Sequence, residues 1–305
     1  MSRRGARRTA RLGRLVEMLG VGRPAGSAAE REWRQRWLHW ATKDGGGNLH
    51  HSVSQPDGTP SQVLWTAHTD TCHRVGAPQR LVMDVMGRIA LARGERAACL
   101  GADDTTGCWL LREMVFAGVP GHYTWFHGEE VGCEGSSWLA AHEPERLAGL
   151  RYAIALDRPG TGEVITHQRG SRCCSDAFAA SLSAQLVGPG LPVHQLAHGV
   201  YTDTAELVHL IGECSNVAVG YTGQHTQSEA QDARYALALL DALLAFDEGA
   251  LVAEREPAAR EPLATVLGAR WWDTSSGRDG VEDWDLRAIY DRYSFDRAPA
   301  SRRYQ

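Results

Sequence analysis

Five short clusters of histidine and carboxylate stand just after apolar runs: His68-Thr69-Asp70, Asp103-Asp104, Glu129-Glu130, Asp157 and His225. Imidazoles and carboxylates are the ligands that a pair of divalent transition metals takes. Glu129-Glu130 adds a second capacity. Two adjacent carboxylates repel, so one is held by a cation while the other has a raised pKa and can move a proton. Together these residue types describe metal-dependent hydrolysis. Singly they do not: an H-x-D is ordinarily a surface turn, an Asp before a helix is ordinarily a cap, and an acidic pair is ordinarily solvated.

The elements around the clusters decide the matter. Val63 to Ala67 is a continuous apolar run of the kind a buried strand shows, and similar runs are Arg88 to Ala92, Tyr123 to Phe126, Tyr152 to Leu156 and Val217 to Val219. Helical spacing covers Leu12 to Leu19, Ala28 to Trp40, Thr105 to Ala117, Ser136 to His142, Asp176 to Leu186, Thr204 to Ile211 and Glu229 to Phe246, with Ser27 placed to cap the second. Strands alternating with helices predict a sheet covered on both faces. The clusters then lie beyond the C-terminal ends of strands, where open α/β sheets place their sites. In an extended segment residues two apart point the same way, so Asp70 can hold the ring nitrogen of His68 that is not on metal. Asp103 could offer its two oxygens to two ions, and Asp104 is left as either a helix cap or a support.

A chain of 305 residues with 43% hydrophobic content and a net charge of −5 has room for a full core and is no whole-protein nucleic-acid binder. No segment reaches membrane-spanning length. Seven cysteines without a repeating spacing suit a reducing compartment, with the cytoplasm the simplest location. The Arg-rich residues 1–11 read as a basic, flexible N-terminus, 12–250 as one catalytic domain, and 251–305, with Trp271-Trp272, Trp284 and a short helix over Leu286 to Tyr293, as a partly ordered extension.

Trp65-Thr66-Ala67-His68-Thr69-Asp70-Thr71, Gly101-Ala102-Asp103-Asp104, Gly128-Glu129-Glu130-Val131-Gly132, Leu156-Asp157 and Gln224-His225-Thr226 resemble, in order and spacing, the co-catalytic dinuclear zinc peptidases, the superfamily of aminopeptidases and carboxypeptidases. Leu15 to Leu19 and Gly47-Asn48-Leu49 also look like that family, so the resemblance runs over about residues 12 to 247. It implies a three-layer α/β/α fold with a mixed, mostly parallel central sheet, and two Zn2+, with Co2+ or Mn2+ as substitutes. By this resemblance His68 and Asp157 bind one ion, Glu130 and His225 the other, and Asp103 bridges them, with a cis peptide often following the bridging Asp. Glu129 is implied as the general base acting on a metal-activated bridging water, and Asp70 as the partner of His68.

The stretch from Asp157 to His225 is too short for the separate lid domain of many relatives, and an Asp as fourth ligand is the aminopeptidase form. Both point to a lid-less aminopeptidase acting on peptides. The alternatives are an N-acyl-amino-acid amidohydrolase or carboxypeptidase with the same metal centre, a glutaminyl-cyclase-like transferase, and a non-catalytic binding homologue. A peptide or acyl-amino-acid substrate is the expected partner; no nucleic acid or membrane is expected, and a homo-oligomer stays open. Asp203, in Gly199 to Thr204, could orient the substrate amine or cap a helix. His73, His127 and His198 read as satisfied residues near the rim.

Overall fold

The apolar runs pair with one another, and their pairing sets where the clusters sit. Residues 3–257 are described by a computed structural model. Its strands are β1 (Thr42–Lys43), β2 (Leu49–Val53), β3 (Val63–His68), β4 (Leu81–Met83), β5 (Arg88–Leu91), β6 (Gly121–Phe126), β7 (Tyr152–Arg158), β8 (Glu163–Gln168), β9 (Ser171–Arg172), β10 (Gln195–His198), β11 (Glu213–Ala218), β12 (Tyr221–Thr222) and β13 (Ala230–Asp232). The helices are α1 (Arg3–Leu19), α2 (Ala28–Leu38), α3 (Ala102–Ala117), α4 (Glu134–His142), α5 (Asp176–Gln185) and α6 (Ala233–Leu243).

The main sheet has the order β1-β2-β6-β3-β7-β11-β8-β10, with β9 paired to β8. Its centre is parallel: β6 with β3, β3 with β7, and β7 with β11. β2 joins β6 and β8 joins β11 antiparallel. Both faces are covered, because successive residues of a strand point to opposite sides. Val63 and Trp65 pack into one core with Leu15, Trp109, Leu239 and Leu240 of α1, α3 and α6, while Leu64 packs into another with Leu139 of α4, Leu207 and Ile211. The result is a three-layer α/β/α fold. The described residues form one compact unit, and the chain between Asp157 and His225 is spent on β8 to β12, α5 and a short turn of helix.

Three expectations change. The 88–91 strand is real, but it belongs to a second, four-stranded sheet of order β12-β13-β5-β4. The segment from Thr204 is only a 3-10 turn, Asp203–Leu207. The helix expected from Glu229 starts later: Ala230 to Asp232 pair with β5, and the Asp232 side chain then accepts the N–H groups of Arg234 and Tyr235 and starts α6.

The basic N-terminus is also corrected. Arg3 begins α1, and Arg8, Arg11 and Arg14 of this helix find carboxylates rather than solvent alone. Arg14 grips the buried Glu113 of α3 with two bonds of 2.7 Å, Arg11 lies 3.4 Å from the same carboxylate, and Arg8 reaches Asp241 at 2.9 Å. At the other end Glu254 and Arg255 donate their N–H groups to Glu213, and Leu251 is buried. The tail features expected in the extension, Trp271-Trp272, Trp284 and a short helix over Leu286 to Tyr293, lie outside the described residues.

Candidate metal centre

Four parallel strands end on one edge of the sheet, and the clusters meet there. His68 closes β3, Asp157 lies near the end of β7, and the turn after β6 carries Glu129 and Glu130. Asp103 and Asp104 interrupt the first turn of α3: both have non-helical backbone, and the peptide bond between them is cis. Gly107 lets this kinked end lie against the sheet. A Cβ there would meet the Leu156 carbonyl at 2.1 Å, so any larger residue would push α3 away from Asp157. His225 comes from the loop after β12, with a left-handed φ of 62° that a non-glycine residue rarely adopts.

The Asp103 carboxylate separates the cluster into two halves. Its Oδ1 is 3.1 Å from His68 Nε2, which in turn is 3.6 Å from Asp157 Oδ1. Its Oδ2 is 3.2 Å from His225 Nε2, which is 3.1 Å from Glu130 Oε2. Each half therefore gathers one imidazole, one private carboxylate and one oxygen of Asp103. Glu129 faces the first half, its Oε2 3.9 Å from His68 Nε2.

Burial makes so many like charges expensive. It drives Glu129 well above the usual carboxylate range, and raises Asp157 with help from Asp103. Burial and Asp103 together push Glu130 to about 7. Asp103 would rise for the same reason, but the two imidazoles hold it below its ordinary value. Burial would lower both histidines; the carboxylates win instead, placing His68 well above its ordinary value and His225 at about 12. Cations are what this donor set is short of. Glu130 Oε1 is buried without a hydrogen-bond partner, which a metal ion would satisfy. The residues present fit bound metal: each half offers one imidazole, one private carboxylate and one oxygen of Asp103.

The fold can now be compared with known ones. No protein-family model and no curated protein sequence matches the chain. Solved structures do. Aminopeptidase PepT from Bacillus cereus aligns at a TM-score of 0.62 with 14% identity, over 78% of this chain and 97% of that one. The fold is an aminopeptidase fold. A tripeptidase from Staphylococcus aureus aligns equally well, at 0.62 with 13% identity over 78% and 97% of the two chains. The TET1 peptidase of Pyrococcus horikoshii, which can assemble into a tetrahedron or a large octahedral shell, aligns at 0.52 with 15% identity over 76% and 98%.

Around this centre of aminopeptidase-like fold lies a layer of supports that the sequence reading largely missed. Thr202 donates to Asp157 Oδ2 at 2.7 Å and Tyr221 to its Oδ1 at 3.1 Å. The buried Glu229 accepts the N–H groups of Gly101 and Asp103, pinning the start of α3. Asp104 does both things left open for it: Oδ1 accepts Gly107 N–H near the start of α3, and Oδ2 accepts His68 N–H. Asp70 lies against His68 and has a second task besides. His68 Nδ1 is 3.1 Å from the Asp70 carbonyl and 3.5 Å from its carboxylate. The carboxylate itself takes the N–H groups of Gly128, Glu129 and Glu130.

Asp203 caps nothing. Its carboxylate accepts the Ser136 hydroxyl at 2.5 Å, and burial pushes it up to about 7. His73 bonds Thr71 and Gln79, His127 bonds Glu30, and His198 packs on His167. Beyond Asp70 and Asp104, only Thr202 and Asp203 among these supports lay in a segment whose pattern drew attention. Tyr221 and Glu229 left no signal, because a tyrosine after a strand and a glutamate before a helix are ordinary.

Proposed function

We propose that the chain is a dinuclear metallopeptidase, an aminopeptidase that hydrolyses the N-terminal peptide bond of small peptides. The observation that carries this is the division of Asp103: one carboxylate, two oxygens, each facing its own histidine and its own acid. The aminopeptidase fold supports the reading. In it His68, Asp157 and Asp103 hold one Zn2+, and Glu130, His225 and Asp103 hold the other. Bound metal supplies a Lewis acid for the scissile carbonyl and lowers the pKa of water.

The remaining work belongs to the chain. Glu129 is buried beside the first position and carries no metal, so its raised affinity for a proton suits a general base that accepts one from water and returns it to the leaving amine. Asp157 is kept in line by Thr202 and Tyr221, and the Glu129-Glu130 turn by Asp70. No described helix is long and apolar enough to cross a membrane, and all seven cysteines are free, which suits the cytoplasm. We place the enzyme there, with self-assembly as an open state.

The test is hydrolysis by the zinc-loaded protein of an unblocked aminoacyl anilide beside N-acetyl amino acids. Release of the anilide alone is the expected result. Cleavage of the acetylated compounds alone would replace the aminopeptidase with a deacylase.

A further inference from the structure

Cys72 sits on the second half of the centre, and the aminopeptidase reading gives it no role. Its Sγ, a Glu130 oxygen and a His225 ring nitrogen all lie within 4.8 Å of one another. Donor atoms that share one zinc ion, with Zn–S about 2.3 Å and Zn–N about 2.0–2.1 Å, stand no further apart than about 4.4 Å. The 4.8 Å that bounds the three atoms is close to that span, so they stand about one ion's reach from one another. Glu130 supplies an independent sign that this spot takes a ligand: its side chain is 94% buried, and Oε1 has no hydrogen-bond partner. No sulfur joins the potential metal-holding groups around His68, which are His68 with Asp103 and Glu130 and His68 with Asp104 and Asp157. The neighbouring thiol of Cys99 is engaged elsewhere, 3.5 Å from His73 Nδ1.

We infer that Cys72 is a thiolate ligand to the metal held by Glu130, His225 and Asp103. The inference rests on the dinuclear reading and adds to it. A soft sulfur beside an imidazole and carboxylates makes the second position a preferential site for zinc, while the first, with imidazole and oxygen donors only, also suits harder ions. The two positions are then chemically unequal. The second, with four protein donors, is filled first and closed, as structural zinc sites are. The first, with three, keeps the exchangeable ion and the open position for chemistry. On binding, the Cys72 S–H bond is replaced by a Zn–S bond and the proton leaves to solvent.

X-ray absorption at the zinc edge, with metal content measured on the same samples, tests this. The expected result for the wild type is two zinc ions per chain and a sulfur shell at about 2.3 Å, amounting to one sulfur for every two zinc ions. Cys72→Ser should lose that shell, and Cys99→Ser should keep it. Two zinc ions surrounded by nitrogen and oxygen alone in the wild type would overturn the role of Cys72 and leave the dinuclear reading standing. A sulfur shell that survives Cys72→Ser would do the same. Failure of the wild type to bind two ions would overturn both.

Discussion

Asp70 Oδ2 accepts the backbone N–H of Glu130 at 3.1 Å, so the residue two places after one histidine ligand fixes the turn that presents the next carboxylates. The Asp70 Oδ1 bonds to Gly128 and Glu129 complete a three-point grip. One buried carboxylate thus ties the end of β3 to the turn after β6. In Asp70→Asn one oxygen becomes an amine, which opposes a backbone donor instead of accepting from it. Metal affinity should fall by about 10–100-fold, the usual loss when a support behind a ligand is removed. Competition with a chelator measures it, and unchanged affinity would show that the turn holds itself.

Glu129→Gln separates the two neighbouring glutamates. With Glu129 as the base and Glu130 as a ligand, metal content should stay at the wild-type level while turnover drops by roughly 10²–10⁴-fold. Metal analysis beside an anilide assay reads both. A variant that loses its metal means that the roles are reversed.

Gly107→Ala puts a Cβ 2.1 Å from the Leu156 carbonyl and about as close to Asp104 as a hydrogen bond, at 2.5 and 2.6 Å. Backbone and a buried carboxylate cannot yield cheaply, so the cost should be about 1–3 kcal/mol or more. At this chain length each kcal/mol lowers Tm by about 2–4 °C. Gly188→Ala, where nothing stands within 4 Å, is the matched control and should melt like the wild type.

Asp44 provides a pH signature away from the metal. Burial alone would raise it, yet bonds from His50 and Asn48 hold its carboxyl below the ordinary 3.8. A carboxylate depressed in the folded state contributes stability that is fully present above its unfolded pKa and is lost as pH falls through the folded value. The stability gap between wild type and Asp44→Asn should therefore be constant above about pH 5 and close as acid is added below pH 4. A gap that widens in acid would contradict the assignment. Asn48, held by Asp44, also donates to the Gly135 carbonyl and accepts His127 N–H, so the effect reaches the segment that carries Glu129 and Glu130.

Much of this was legible in the order of residue types. His68 and Asp157 end continuous apolar runs, and such runs at the centre of a parallel sheet are hard to mistake. The strands that were missed do not look like that. β2, Leu-His-His-Ser-Val, is mostly half-buried, and β8, Glu-Val-Ile-Thr-His-Gln, mixes buried apolar and polar positions, so neither shows a clean period. Thr204 to Ile211 has helical spacing, but Leu207 and Ile211 reach the core from a 3-10 turn and a loop. Charge misled at the N-terminus: six arginines suggested a solvated lead-in, and the partner of two of them, Arg11 and Arg14, is Glu113, far away in sequence. Supports such as Tyr221 on Asp157 escape for the same reason, since a hydrogen bond between distant residues leaves no local pattern.

The spacing of the five donors along the chain has a consequence for how the protein matures. During synthesis His68, Asp103, Glu130 and Asp157 emerge first, His68 and Asp157 on β3 and β7, which pair with one another. His225 emerges last of the five, on a loop whose backbone is held left-handed at 62° by its surroundings. A nascent or clipped chain that stops short of His225 can thus gather four of the donors, yet it cannot complete the second half. Full metal occupancy is a mark that only a chain made past His225 carries.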